Sequence, residues 1–311
     1  MLKPLVKRSA LTLLGSVIVL FVLCAAPTRT PTKDGIVYGV ADGQQLTMDY
    51  YAPKGDGIHP IVIIIHGGGY HGGTSKSDSE AYVADFLAPA GYAVFSINYR
   101  VAPRYPYPCM VLDAQRAVRF IRYHAKDWNA DPNRIALVGG SAGGFLSNMV
   151  GLKNDGGDPT APDPVDRESA KAQAVVSLFA QSSFEFVPLN ADVHRFLDPL
   201  IAKEGQKAAI RDASPITYVS ADDPPFLEIL GDQDEYIPFQ EAVNLQVALH
   251  KLHVRCDIIK IPGGKHGTWG WNKIPGVPDW EREMTEWLNV RLNHKGPIGE
   301  GIRPRIAARA N

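Results

Sequence analysis

The sequence RIALVGGSAGG, residues 134–144, joins an apolar run to a cluster of glycines around Ser141. The apolar run predicts a buried strand over residues 134–138, and the residues after 144 favour a helix. Between them, residues 139–143 match the pattern G-x-S-x-G, whose small residues permit a sharp turn from strand to helix. Such a turn lifts the Ser141 hydroxyl above the sheet edge, where it can attack a carbonyl carbon. A glycine-rich turn before a helix is also a common structural feature, so the surrounding sequence must decide.

Repeated strand and helix patterns surround this stretch. A hairpin is predicted where residues 36–40 and 44–51 flank Asp42-Gly43, a pair suited to a tight turn. Apolar runs predict further strands over residues 61–65, 92–99, 174–180, 226–230 and 256–261, and helices are expected over 111–121, 239–252 and 280–292. This alternation predicts an α/β fold, a mostly parallel sheet of about eight strands with helices on both faces.

The composition of the chain limits the kinds of partner. The 311 residues are 45% hydrophobic and 21% charged, which is ordinary for a globular protein. Lys and Arg together number 32 against 33 Asp and Glu, for a formal net charge of −1. A chain with so little net charge is not drawn to nucleic acid or to an anionic membrane surface. A small-molecule partner is therefore predicted.

The first residues depart from this average. Three positive residues come first: Lys3, Lys7 and Arg8. An uncharged, mostly apolar run follows over residues 11–26, which is the layout of a secretory signal peptide. Export to the periplasm or the medium is expected. Because Pro27 is a poor context for cleavage, an uncleaved N-terminal anchor is the alternative for residues 1–26, and it would be the chain's one contact with a membrane.

The rest of the chain is predicted to form one domain, residues 27–294. Residues 182–222 separate two core strands by more than a simple connection and are expected to form a small cap insertion. The tail, residues 295–311, combines Gly, Pro and Arg and is predicted to be disordered. Beyond the leader, Cys109 and Cys256 are too few for a disulfide framework and are expected to be free, buried thiols.

No metal site is predicted. Residues 154–166 contain four aspartates, which Ca²⁺ could bind, but their spacing matches no known calcium loop. A solvated loop is the favoured interpretation. No other cluster of His, Cys and Asp has the spacing of metal ligands.

A second glycine cluster, His66-Gly67-Gly68-Gly69, directly follows the predicted strand 61–65. Consecutive glycines can present bare N–H groups to a developing negative charge, because no Cβ blocks the approach. Gly68 and Gly69, together with the amide of Ala142, are the candidate oxyanion hole. His66 is expected to hold the loop through hydrogen bonds rather than to take part in chemistry.

A nucleophilic serine needs a base, and the base needs a carboxylate that orients it. Three acids follow the predicted strand 226–230: Asp232, Asp234 and Glu235. His266 stands in a glycine-rich loop after the strand 256–261. Serine, acid and histidine thus occur in this order at the ends of three strands, which favours a hydrolase with a catalytic triad.

Several stretches together resemble a known family. They are residues 61–70, 99–100, 131–144, 213–216, 223–238 and 263–267. The sequence is similar to the esterases and lipases of the α/β-hydrolase fold related to hormone-sensitive lipase, especially bacterial esterases with a short N-terminal region. The resemblance implies ester hydrolysis without a cofactor, and it assigns Ser141, Asp234 and His266 to the triad. The sequence departs from many members at Gly140, where they carry an acid.

The sequence indicates the substrate less directly than it indicates the reaction. A carboxylesterase acting on short acyl esters is expected, because residues 182–222 show no long amphipathic lid. An amide-cleaving relative such as an arylformamidase, and a deacetylase of acetylated carbohydrate, are the alternatives. A non-catalytic binding protein on the same scaffold is disfavoured, since all three triad residues are present. Six aromatic residues are candidates to line the pocket: Tyr70, Phe145, Phe184, Phe186, Trp269 and Trp271.

Overall fold

The computed structural model of the protein describes residues 30–77, 81–185 and 189–293. Within them, eight strands form one sheet: β1 (Lys33–Ala41), β2 (Gln44–Tyr51), β3 (His59–Ile65), β4 (Ala93–Ile97), β5 (Ala130–Gly140), β6 (Ala174–Leu178), β7 (Phe226–Gly231) and β8 (Cys256–Ile261). Their order across the sheet is β1-β2-β4-β3-β5-β6-β7-β8. The pairs β1–β2 and β2–β4 are antiparallel, and every other pair is parallel. The predicted mostly parallel α/β sheet is confirmed.

The described residues contain seven α-helices: α1 (Val83–Leu87), α2 (Cys109–Tyr123), α3 (Ala142–Lys153), α4 (Ala191–Glu204), α5 (Gln206–Ala213), α6 (Gln240–Lys251) and α7 (Trp280–Leu292). Residues of α2, α3, α4 and α5 pack in one hydrophobic layer, and those of α1 and α7 pack in a second layer. Helix α6 contributes to both layers, Leu245 to the first and Ala242 to the second. The sheet is therefore covered on both faces.

The burial of strand β3 on both faces accounts for its uninterrupted run of β-branched residues. Ile61, Ile63 and Ile65 lie in the first hydrophobic layer, whereas Val62 and Ile64 lie in the second. Successive side chains of a strand point to opposite faces of the sheet, so a strand buried on both faces is apolar at every position.

The segment that was predicted to form a cap, residues 182–222, contains α4 and α5, and residues 186–188 lie outside the described ranges. Helix α4 is attached to the domain by Phe196, whose ring stacks on Tyr70 at 4.4 Å and meets Tyr107 at 5.5 Å and Phe145 at 5.6 Å. At the start of the helix, the Asn190 side chain accepts hydrogen bonds from the amides of residues 192 and 193. The aromatic contacts hold this part of the segment against the core.

Arginines of α2 reach the aspartate-rich loop after α3. Arg116 forms ion pairs of 2.7 Å with both Asp163 and Asp166, and Arg119 pairs with Asp155. These carboxylates are therefore matched by guanidinium groups. Within the described ranges, no group of three or more His, Cys, Asp and Glu side chains could hold a metal ion.

The remaining predictions concern the two cysteines, the leader and the tail. Cys109 and Cys256 are both free, but Cys109 is only partly buried. The leader, residues 1–26, and the tail, residues 295–311, lie outside the described residues. In the part of the chain that is described, no helix is both long and apolar enough to cross a membrane.

Candidate active site

Ser141 lies alone between β5, which ends at Gly140, and α3, which begins at Ala142. Its φ of 54° and ψ of −121° place a residue with a Cβ in a strained backbone conformation. The surrounding glycines make this turn possible. A Cβ on Gly139 would lie 2.3 Å from the carbonyl oxygen of Gly143, and a Cβ on Gly143 would lie 2.0 Å from that of Ile65. The two glycines of the pattern are thus required by close backbone packing, Gly139 against α3 and Gly143 against β3.

The structure brings three of the predicted side chains into one hydrogen-bonded row. His266 Nε2 lies 3.0 Å from Ser141 Oγ, and His266 Nδ1 lies 2.8 Å from Asp234 Oδ2. Because a carboxylate can only accept, the imidazole hydrogen stands on Nδ1, which leaves Nε2 free to accept from the Ser141 hydroxyl. The side chain of Asp234 is fully buried and that of His266 is 20% exposed. The row therefore runs from a buried charge to an accessible hydroxyl.

The three neighbouring acids have different surroundings. Asp234 Oδ1 accepts hydrogen bonds of 2.8 Å from the amides of Tyr236 and Ile237, which aim the other carboxylate oxygen at His266. Asp232 Oδ1 accepts from the amide of Gly263 at 2.7 Å. Its Oδ2 lies 3.0 Å from Lys260 Nζ. Asp232 thus ties two loops together, and Asp234 is the acid that faces the imidazole.

Glu235 contacts the backbone of His266 and not its ring, with Oε2 3.4 Å from the amide nitrogen. The loops that carry the acid and the histidine touch through two glycines. A Cβ on Gly231 would lie 1.9 Å from the carbonyl oxygen of Gly264, and the amide of Gln233 donates to that same oxygen at 3.0 Å. The absence of side chains at these positions lets the two loops lie side by side.

The glycine loop after β3 folds back on itself. Gly68 has a φ of +118° and Gly69 a φ of +58°, both in the region that favours glycine. The amides of His71 and Gly72 donate to the carbonyl oxygen of Gly68 at 3.1 and 3.0 Å. This loop and Ser141 line the same cavity. Ala142 begins α3, where the first amides of a helix have no partner within the helix.

His66 holds this loop in place through ring stacking and hydrogen bonds. Its ring is buried and stacks on Tyr99 at 4.2 Å, and its Nδ1 lies 2.7 Å from the carbonyl oxygen of Gly67. The Tyr99 hydroxyl donates to the carbonyl oxygen of His66 at 2.7 Å. Burial lowers the pKa of His66 to about 4, so the ring is neutral at physiological pH. These contacts agree with the holding role predicted for His66.

The cavity at Ser141 has a volume of about 390 Å³. Of the six aromatic candidates, Tyr70 and Trp269 line it. The prediction was wrong for Phe145, Phe184 and Trp271, which are almost completely buried in the core. The first two pack around Phe196, and Trp271 packs edge-on against Phe179 and Trp280. Phe186 lies outside the described residues.

Other residues of the cavity were not found from the sequence. They include Phe179, Gln181, Asn190, Asp192, Val193 and Tyr236. The Tyr70 hydroxyl donates to Gln181 Oε1 at 2.5 Å, and Asp192 accepts from His71 Nε2 at 3.0 Å and from Arg195 at 2.7 Å. Asn190 has the sequence signal of a helix N-cap, but no local pattern shows that α4 begins above Ser141.

The chain is similar to proteins that are named as ester hydrolases. Residues 48–249 match the family model described as BD-FAE. The probable carboxylic ester hydrolase LipM of Mycobacterium tuberculosis is 32% identical over 193 residues, which cover 60% of this chain and 44% of LipM. Esterase LipC of the same organism is 30% identical over 260 residues, covering 78% and 64%. The chain therefore spans less than two thirds of the length of either relative.

Solved structures show the same architecture. An acetyl ester-xyloside bifunctional hydrolase from Caldicellulosiruptor lactoaceticus is similar with a TM-score of 0.71 at 29% identity, over 80% of this chain and 89% of that one. A truncated carbohydrate esterase from gut microbiota is similar with a TM-score of 0.71 at 25% identity, over 87% and 99%. In fold alone, the chain is also similar to esterase 2 of Thermogutta terrifontis, with a TM-score of 0.69.

Proposed function

This chain belongs to the BD-FAE family and has the α/β-hydrolase fold, and we propose that it is a serine carboxylesterase that hydrolyses short-chain acyl esters. The row from Ser141 Oγ through the His266 ring to the buried carboxylate of Asp234 carries the proposal, with hydrogen bonds of 3.0 and 2.8 Å. The curated relatives are named as ester hydrolases, which supports the same chemistry.

The proposed reaction is acyl transfer in two halves. In the first, His266 Nε2 takes the proton of Ser141 while Oγ bonds to the acyl carbon of the ester. The negative charge that develops on the carbonyl oxygen is stabilised by the amides of Gly68, Gly69 and Ala142. The imidazolium then gives its proton to the leaving alcohol as the bond between acyl carbon and alcohol oxygen breaks. An acyl group on Ser141 remains.

The second half repeats these steps with water. His266 takes a proton from water, the hydroxyl attacks the acyl carbon, and Ser141 recovers its hydrogen as the acid leaves. In both halves Asp234 holds the ring in the reactive tautomer and stabilises its positive charge. Two backbone amides and the imidazole surround this carboxylate, so its charge is compensated although it is fully buried.

A small cavity supports a preference for short acyl groups. Its volume of about 390 Å³ is near the lower end of the range usual for ligand pockets. The hydrogen-bonded pair of Tyr70 and Gln181 forms part of the wall, and Val193 of α4 lies above it. We expect efficient hydrolysis of acyl groups of roughly two to six carbons.

The test combines labelling with a substrate series. A fluorophosphonate should label the protein, and p-nitrophenyl esters should be hydrolysed with a rate that falls from short to sixteen-carbon acyl chains. Ser141→Ala should abolish both labelling and hydrolysis. Ser169→Ala, in the loop after α3, removes a serine hydroxyl that does not line the cavity and is the matched control. Labelling that persists in Ser141→Ala contradicts the proposal, as does activity that rises toward long chains.

The same series separates the alternative substrates. Formylkynurenine reports amide cleavage and acetylated xylan reports carbohydrate deacetylation. An amide hydrolysed faster than every ester would replace the esterase assignment with an amidase.

We further propose that residues 1–26 direct export from the cell, as a signal peptide or as an anchor. The three positive residues before an apolar run support this. In a bacterial host, the full chain should be found in the periplasmic, secreted or membrane fraction, and a chain lacking residues 1–26 should stay in the cytoplasm. Equal distribution of the two chains would contradict export, and the N-terminal residue of the exported form distinguishes a cleaved signal from an anchor.

A further inference from the structure

The glycine loop after β3 is held by backbone hydrogen bonds on both sides of Gly69. The carbonyl oxygen of Gly68 accepts two amide hydrogen bonds from within the loop, and that of Tyr70 accepts one from Ala102 at 2.9 Å. Gly69 stands between them with a φ of +58°. A glycine has more backbone freedom than any other residue, so its amide keeps one direction only where neighbouring groups pack against it.

Two side chains fill the space next to Gly69. A Cβ built on this residue would lie 3.2 Å from Oδ2 of Asp192 and 3.3 Å from Nε2 of His71. The two side chains also contact each other, with His71 Nε2 3.0 Å from Asp192 Oδ1. Because a carboxylate can only accept, Nε2 carries the hydrogen and donates it. This pair therefore covers the side of Gly69 on which other residues carry a side chain.

The pair joins two segments that are far apart in the sequence. His71 belongs to the glycine loop, and Asp192 lies in the first turn of α4. Phe196 is four residues further along the helix, on the same face, and its ring stacks on Tyr70 at 4.4 Å. Helix α4 thus contacts two consecutive residues of the loop, one through an aromatic ring and the other through a carboxylate.

A second ion pair of Asp192 does not account for this contact. Arg195 Nη1 lies 2.7 Å from Asp192 Oδ1, which is an ordinary pairing within the first turns of a helix. Oδ2 is the oxygen that lies next to Gly69. The guanidinium compensates the carboxylate charge, which would otherwise oppose the development of negative charge beside the loop.

We propose that His71 and Asp192 are positioning residues for the reaction, whose hydrogen bond holds Gly69 so that its amide stays aimed at the oxyanion. This role rests on the proposed esterase function, in which Gly69 is an oxyanion donor. Donors stabilise a developing charge most when they are already in place. Loosening Gly69 therefore raises the barrier of the reaction without weakening the binding of the ester in its ground state.

The test compares His71→Ala, Asp192→Ala and the double variant with the wild type. His71→Gln is added because its side-chain amide keeps a donor at about the position of Nε2. The matched control is His194→Ala, which removes the histidine of another exposed pair, with Nδ1 2.8 Å from Asp198 on α4. Neither residue of the control pair lines the cavity.

Three quantities are measured for each variant: kcat and KM for p-nitrophenyl acetate, the inhibition constant of a trifluoromethyl ketone, and the melting temperature. Ser141 Oγ adds to the carbonyl carbon of the ketone while its proton passes to His266. The carbonyl oxygen then becomes an oxyanion bound by the same amides as in the reaction. The affinity of this inhibitor therefore reports the oxyanion hole directly.

We expect His71→Ala to lower kcat by roughly tenfold, which is less than the 10² to 10³ that follows the loss of a donor itself. KM should change little, because His71 does not line the cavity. The inhibition constant should rise by about the same factor as kcat falls. The melting temperature should hardly change, since exposed ion pairs contribute little to stability. His71→Gln should keep most of the activity, and His194→Ala should keep all of it.

The double variant tests whether the two side chains act as one unit. Asp192→Ala should lower kcat about as much as His71→Ala does, and the double variant should be no slower than the slower single variant. Because Asp192 also lines the cavity, this comparison uses kcat rather than KM.

Several outcomes would overturn the positioning role. They are a wild-type kcat in His71→Ala, a lower kcat with unchanged affinity for the ketone, effects of the two single variants that simply multiply in the double variant, and a His71→Gln variant as slow as His71→Ala. In each of these cases the wild type still hydrolyses the ester. A wild type that hydrolyses no ester and is not labelled by a fluorophosphonate would instead overturn the esterase proposal, and the positioning role with it.

Discussion

The Ser177 hydroxyl on β6 donates a hydrogen bond of 2.5 Å to Oε2 of Glu228 on the neighbouring strand β7. The two residues are register partners, and both side chains are buried. Burial raises the pKa of Glu228 to about 8, although hydrogen bonds from Ser177 and Asn148 oppose the shift. Within the described ranges Glu228 Oε1 has no hydrogen-bond partner. Glu228 is therefore a protonated acid inside the sheet at neutral pH.

This acid makes stability depend on pH. Its folded pKa of about 8 lies above the usual value of 4.5, so the unfolded chain loses the proton first as pH rises. The stability that protonation contributes is complete below pH 4.5 and is lost between pH 4.5 and 8. One other titratable group acts on it, Glu241 on α6, which raises its pKa further. Burial and the nearby Glu228 in turn raise the pKa of the Cys256 thiol on β8.

We expect Glu228→Gln to remove this pH dependence, because an amide cannot ionise in either state. The free energy of unfolding of the variant relative to wild type should rise by on the order of 3 kcal/mol from pH 5 to pH 8. Urea unfolding at several pH values measures it, with Glu286→Gln, on the exposed side of α7, as control. A difference that stays constant over this range would show that Glu228 does not titrate as described.

A pair of variants can identify the carboxylate that orients the His266 ring. Asp234→Asn should lower kcat by about 10⁴-fold, since an amide favours the wrong tautomer of His266. Asp232→Asn should keep most activity and lose up to about 1 kcal/mol of stability with its ion pair to Lys260. Steady-state kinetics and thermal unfolding measure both. Should Asp232→Asn be the inactive one, with its circular dichroism unchanged, the assignment of the acid is wrong.

The close approach of α3 to β3 predicts intolerance of any side chain at Gly143. A Cβ there would lie 2.0 Å from the carbonyl oxygen of Ile65, which backbone cannot accommodate without moving. Gly143→Ala should therefore lower the free energy of unfolding by several kcal/mol and abolish ester hydrolysis. Gly156→Ala adds the same Cβ where no heavy atom lies within 4 Å, and should have little effect. Equal melting temperatures for the two variants would refute this account of the turn.

The attachment of α4 to the domain through Phe196 can be tested in the same way. Phe196→Ala removes a fully buried ring that stacks on Tyr70, at an expected cost of about 3–5 kcal/mol. Because Tyr70 and Val193 line the cavity, KM for a short ester should rise more than kcat falls. Phe196→Leu keeps most of the apolar volume, so its free energy of unfolding should fall less and its KM should rise less. An unchanged KM in Phe196→Ala would show that the attachment of α4 does not contribute to substrate binding.

Local patterns were enough for most of the fold. The uninterrupted β-branched run of residues 61–65 predicted a strand buried on both faces, and the bounds of β2, β8 and α7 agree with those expected. Strand β5 begins four residues earlier than expected, since His59 of β3 pairs with Ala130. The G-x-S-x-G pattern is recognisable from residues 139–143 alone, although the contact that requires glycine at position 143 comes from Ile65, which is far away in the sequence.

The sequence by itself determined the sheet, the turn at Ser141 and the order of serine, acid and histidine, because periodicity and small residues act over short distances along the chain. Only the tertiary structure decided which aromatics line the cavity. Trp269 and Trp271 are two positions apart, yet one is 74% exposed and the other 1%. Such differences arise from contacts between segments that are far apart in the sequence. Packing geometry determines the burial of each side chain at these contacts, and local sequence patterns do not indicate it.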